Sequence, residues 1–117
     1  MSGKNPKAFA SRRQHRLHAQ VFAALGDETR LLLILKLGAG TPLSIVQLTE
    51  GSKRTRQAIT KHLRVLEDVG LVSGERSGRE RLYRLEAEPL QNLKEYLDLV
   101  AAQWDDALSR LKGFVEK

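Results

Sequence analysis

Three features of the 117-residue chain predict a mainly α fold with a small β-hairpin wing. A basic helix over about 55–69, capped by Thr55 and stopped by Gly70, follows a shorter helix after a tight turn. Two strand-like runs around a Gly/Arg tip come next, over about 71–85. A long apolar heptad pattern then fills about 89–114. Together these describe a winged helix-turn-helix with long N- and C-terminal helices suited to dimerisation. A chain of this length is expected to form one domain, over 11–117, after a loose basic arm at 1–10.

Each element has a local cause. Ser11 is a good helix cap, and Leu17, Val21, Ala24 and Leu25 then recur at helical spacing until Gly26. Phe9 extends that stripe one turn earlier. Asp27 caps a second helix with Arg30 at its third position. Its body, with Leu31, Leu32, Leu33, Ile34, Leu35 and Leu37, is apolar nearly all round, which predicts the buried centre of the domain. Gly38 and Gly40 stop it, Pro42 keeps the chain extended, and Leu43 can add one short strand. Ser44 opens a short helix over 45–50, ended by Gly51. Ser52, Lys53 and Arg54 then make the turn into the Thr55 cap. In the next helix Ile59, His62, Leu63, Leu66 and Val69 form one apolar stripe. Strands are expected at 71–76 and 81–85 around a four-residue tip, with Gly74 and Gly78 permitting a tight backbone. Pro89, at a first-turn position, opens the last helix.

Composition bounds the function. Hydrophobic residues make up 41%, enough for a globular core, and with 5% aromatics that core must be mainly aliphatic. No apolar run is long enough to cross a bilayer, and the polar N-terminus carries no secretory signal, so a cytoplasmic protein with no membrane contact is expected. With 0 cysteines, disulfides and thiolate metal sites are excluded. The net charge of +6 is uneven. Residues 52–84 carry nine Lys/Arg against four acids, whereas 85–117 carry four against seven. One basic segment beside an acidic one is expected of a chain that turns a face towards a polyanion.

The basic segment has the order that groove insertion needs: polar, long-reaching residues on the first two turns of a helix and apolar residues opposite. Arg56, Gln57, Thr60 and Lys61 occupy those turns and are expected to read base edges. Arg suits guanine O6/N7, Gln suits adenine, and Thr suits a thymine methyl. Lys53, Arg54 and Arg64 are expected to anchor phosphates, as is the helix N-terminus at Thr55. Arg79 and Arg81 flank the hairpin tip and are expected to hold phosphates or enter a minor groove. Arg76 and Arg84 sit lower on the strands. The expected partner is therefore double-stranded DNA.

The last helix predicts a second partner. Leu90, Leu93, Leu97, Val100, Trp104, Ala107, Leu111 and Phe114 follow an alternating three-and-four spacing, a seam too long for so small a core to cover alone. A homodimer interface is expected along it, shared with Leu17 and Val21 of the first helix.

Over residues 22–85 the chain resembles the ArsR/SmtB type of bacterial winged-helix transcriptional repressor. The matching segments are FAALGDETRLLLILKL, RQAITKHLRVLEDVGLV and SGRERLYRL. The resemblance implies a homodimer, joined through its first and last helices, that binds an imperfect palindrome at a promoter. The chain departs from the family's metal sensors. The segment where they carry a cysteine motif reads SIVQLTE here, and the last helix has no histidine for a zinc site. No cofactor or metal is implied, and a small-molecule effector is possible but unidentified.

Other chemistry is thinly represented. His62, on the apolar stripe, reads as a hydrogen-bonded core histidine. His15 and His18, three apart, are half of a metal site at most and more simply a solvated helix face. Asp27 and Glu28 suit a helix N-terminus rather than a catalytic pair. No nucleophile motif or phosphate loop occurs, so no enzyme is expected. The alternatives to a sequence-specific repressor are an architectural DNA-binding protein of low specificity and a protein-interaction module that has lost DNA binding.

Overall fold

Side-chain caps decide where most of the helices start. In the computed structural model, which describes residues 12–116, α1 (Arg12–Leu25) runs to Gly26. The expected arm, Phe9 and the Ser11 cap lie outside the described residues. Asp27 then takes an extended backbone and accepts the Arg30 N–H at 3.1 Å, opening α2 (Glu28–Leu37). Ser44 and Gln47 form a capping box at the head of α3 (Ile45–Thr49). In it Gln47 N–H donates to Ser44 Oγ at 3.2 Å and Ser44 N–H donates to Gln47 Oε1 at 2.8 Å. Thr55 opens α4 (Arg56–Asp68) by accepting the Ala58 N–H at 3.1 Å. The last helix, α5 (Ala87–Val115), starts two residues before Pro89 and has no side-chain cap. Pro89 still falls in the first turn, where a missing N–H costs no intrahelical bond.

Leu43 does add a short strand. β1 (Leu43–Ser44), β2 (Val72–Ser77) and β3 (Glu80–Leu85) form an antiparallel sheet in the order β1-β3-β2, with Leu43 opposite Tyr83. Strands β2 and β3 pair up to Ser77 opposite Glu80, so the tip is only Gly78-Arg79. Gly78 has φ +63°, the left-handed geometry that a two-residue hairpin turn requires at its first position. No helix among the described residues is long and apolar enough to cross a membrane.

The core lies where α2, α3, α4 and the sheet converge. Leu33, Leu37, Leu48, Ile59, Leu63, Leu66 and Leu71 are fully buried there, joined by Ala24, Val72 and Tyr83. The expected stripe of α4 is thus in place, with His62 and Val69 half-buried at its margins. Helix α2 corrects the sequence reading. Only Thr29, Leu33 and Leu37 are buried, whereas Leu31, Leu32 and Leu35 are 47%, 51% and 71% exposed. Among the described residues α2 packs against α1, α4 and β3, and these cover only one stripe of it. Lys36 uses its ammonium to close the neighbouring helix: Nζ donates to the carbonyls of Leu48 (3.0 Å) and Glu50 (3.1 Å) at the end of α3.

Candidate nucleic-acid interface

The turn between α3 and α4 presents the basic helix. Gly51 takes φ +75°, and Ser52 Oγ accepts the Arg54 N–H at 3.0 Å, fixing the approach to Thr55. Because Ile59, Leu63 and Leu66 point into the core, helical periodicity turns Gln57, Thr60, Lys61 and Arg64 away from it, while Arg56 is exposed as the first residue of the helix. Lys53, Arg54, Thr55, Arg56, Gln57, Lys61 and Arg64 are all exposed. Thr60 is half-buried, and its hydroxyl donates to the Arg56 carbonyl at 2.8 Å, leaving its methyl and oxygen lone pair as the outward features. The N–H groups of the first α4 turn not taken by Thr55 point out beyond the helix N-terminus, a geometry that favours a phosphate.

The wing separates its two arginines. Arg79, at the tip, is exposed. Arg81 is exposed too, but its guanidinium donates to Glu67 Oε2 at 2.8 Å and sits 5.6 Å from the centre of the Tyr83 ring. Glu67 belongs to α4, so this ion pair links the wing to that helix. The same arrangement reassigns Gly74. Its φ is not in the left-handed region. A Cβ there would stand 2.3 Å from Arg81 Nε, so this glycine makes room for the arginine. Arg84 Nε lies 3.6 Å from Glu86, whose carboxylate also accepts a hydrogen bond from Ser73 Oγ.

Beside this head, α1 and α5 enclose an open groove of about 1050 Å³ lined by Leu17, Val21, Leu93, Tyr96 and Leu99 among others. His18 stacks on Tyr96 at 4.1 Å between centroids, and His15 Nδ1 lies 3.4 Å from the Tyr96 hydroxyl. The pair is therefore engaged with an aromatic ring. Among the described residues no group of three or more His, Cys, Asp or Glu is placed to hold a metal. Of the expected interface residues, Leu93 is buried within its own chain and Leu90, half-buried, packs against the core. Val21 also packs partly on the core, and Val100 is half-buried. Leu17, Leu97, Trp104 and Leu111 remain exposed, Trp104 by 66%.

Asp27, Arg30 and His62 form a polar cluster at the back of α4. Arg30 Nη1 is 3.2 Å from His62 Nδ1, and Asp27 Oδ2 is 3.7 Å from the same nitrogen. The Arg30 N–H that Asp27 caps holds its carboxyl below the ordinary value against the opposing effect of burial, with the His62 and Arg30 charges assisting. The hydrogen-bonded core histidine is where the stripe placed it. Its partner Arg30 was visible in the sequence only as a capping position, because a contact across 32 residues leaves no local pattern.

No protein-family model matches the chain. Individual proteins do. The chain is 44% identical over 79 residues to YuzN of Bacillus subtilis, an uncharacterised HTH-type transcriptional regulator, spanning 62% of this chain and 86% of YuzN. It is 33% identical over 89 residues to the HTH-type transcriptional repressor SmtB of Mycobacterium tuberculosis, spanning 76% of this chain but 64% of that relative. Among solved structures it is similar to an ArsR-like transcriptional regulator from Rhodococcus sp. RHA1, with 36% identity and a TM-score of 0.72 over 87% of this chain and 95% of that one. A fragment of Mb0332 from Mycobacterium bovis, a homodimeric winged helix-turn-helix domain, shares the fold at 23% identity, with a TM-score of 0.61 over 94% of this chain and 95% of that one. On these similarities this chain belongs to the ArsR/SmtB family of winged helix-turn-helix transcriptional regulators.

Proposed function

We propose that the protein is a homodimeric repressor that binds an imperfect palindrome in promoter DNA. The observation that carries this reading is the exposed basic and amide face of α4, held outward by Ile59, Leu63 and Leu66. Arg56, Gln57 and Lys61 read base edges in the major groove, with Thr60 contributing its methyl. Lys53, Arg54, Thr55 and Arg64 hold the flanking phosphates, and Arg79 reaches backbone at the wing tip. Arg81 keeps the wing at a fixed angle through Glu67. The exposed residues Leu17, Leu97, Trp104 and Leu111, with half-buried Val100, join two copies so that two α4 helices enter successive grooves.

The test is a selection of genomic duplex fragments by the purified protein, followed by comparison of the best fragment with random duplex at fixed salt. A repressor prefers its fragment by about 10³-fold or more. Equal binding to both would replace this reading with that of a low-specificity architectural protein. Salt dependence alone separates nothing, since both release counterions.

A further inference from the structure

One guanidinium joins three helices at the back of the reading head. Arg30, in the first turn of α2, donates from Nε to the Ala24 carbonyl near the end of α1. Its Nη1 lies 3.2 Å from His62 Nδ1, on the core-facing side of α4. Asp27 caps α2 through the Arg30 N–H and stands 3.7 Å from the same His62 nitrogen. The His62 side chain is 21% exposed, so water reaches it but does not surround it.

A hydrogen bond at this contact needs a lone pair on His62 Nδ1, because guanidinium nitrogens only donate. Among the described residues, the charged groups in contact with the ring are Asp27 and Arg30, both at the start of α2. The apolar contacts of Ile59, Leu63 and Leu66 hold α4 at its depth but are non-directional. The Arg30 bond is directional, and it acts between Lys61 and Arg64, on the turn that carries the reading residues.

From this geometry we propose that Arg30 and His62 form a positioning contact that fixes α4 against the end of α1, and that losing it lowers sequence preference. The proposal rests on the repressor reading for its DNA readout, and has a second readout that does not. Wild type, His62→Asn and His62→Leu are compared on the selected genomic fragment and on random duplex of equal length at pH 7.5. Asn presents an oxygen near the place of Nδ1, so it keeps the preference. Leu strands the Arg30 donor and loses preference about tenfold or more. A loss in Asn equal to that in Leu, or full preference in Leu, would overturn the proposal.

The second readout is the ¹⁵N spectrum of the histidine rings in the free protein at pH 7.5. It should show His62 Nδ1 unprotonated, and a protonated Nδ1 there would sink the contact without any DNA. This spectrum and the Asn comparison decide the matter if the Leu variant does not fold. Absence of any preferred fragment would defeat the repressor reading, leaving the contact to stand or fall on the spectrum.

Discussion

The reading head and the flanking helix pair are built from similar amounts of apolar sequence but treat it differently. In the head, Leu48, Leu63, Leu66 and Leu71 are wholly buried, and short-range caps fix every helix start. Along α5, Leu97, Trp104, Leu108, Leu111 and Phe114 are exposed by 45–77%, and the helix begins without a side-chain cap. The core of the head is closed among the described residues, with Leu31, Leu32 and Leu35 left on the outer face of α2. The long helix carries an apolar surface that the described residues leave uncovered, which a soluble monomer rarely displays. The difference teaches that periodicity identifies an apolar face but not the molecule that buries it.

Truncation at the centre of each region gives the largest contrast. Leu63→Ala should cost about 2–5 kcal/mol in urea unfolding, the range for an emptied aliphatic site. Trp104→Ala, measured in dilute protein, should stay within about 0.5 kcal/mol of wild type. An equal cost for both would mean that the α5 surface is already buried within one chain. Next comes association. Leu97→Glu should give monomers in micromolar sedimentation while the far-ultraviolet spectrum is kept, and a persisting dimer would remove Leu97 from the interface.

A smaller effect divides the head itself. Gln57→Ala should narrow the preference between matched and substituted fragments by about 1–3 kcal/mol. Arg79→Ala should instead weaken all duplexes and lower the salt slope by about one. A sequence-selective loss at Arg79 would place base reading in the wing.

The smallest effect is the pH dependence of folding. The Asp27 carboxyl is held below its ordinary value in the folded state. Its contribution is therefore fully present above the unfolded carboxylate value near pH ~4, and is lost as pH falls through the lowered folded value. Asp27→Asn keeps a capping oxygen without the charge and should flatten that acid loss. The unfolding midpoints of the two proteins at neutral pH and near pH ~3 measure it, and parallel losses would assign the acid sensitivity elsewhere.

The helix starts at Asp27, Ser44 and Thr55 were legible in the sequence, as were the stops at Gly51 and Gly70 and the sharp turn at Gly78. Each depends on bonds within three or four residues, so the residue types suffice to specify it. The outward basic face of α4 was legible too, since a buried stripe fixes the opposite side of a helix. Residues joined across 12–32 positions were not. Lys36 closing α3, Arg81 lying over Gly74 to reach Glu67, and Arg30 meeting His62 all needed the packed elements to bring them together. The same holds for α2, where six aliphatic residues read alike in sequence and only the placement of α1, α4 and β3 decided that Leu33 and Leu37 are inside while Leu31, Leu32 and Leu35 are not. Local hydrogen bonds are encoded where they form; burial and long-range ion pairs are properties of the neighbours, and the neighbours exist only once the chain has folded.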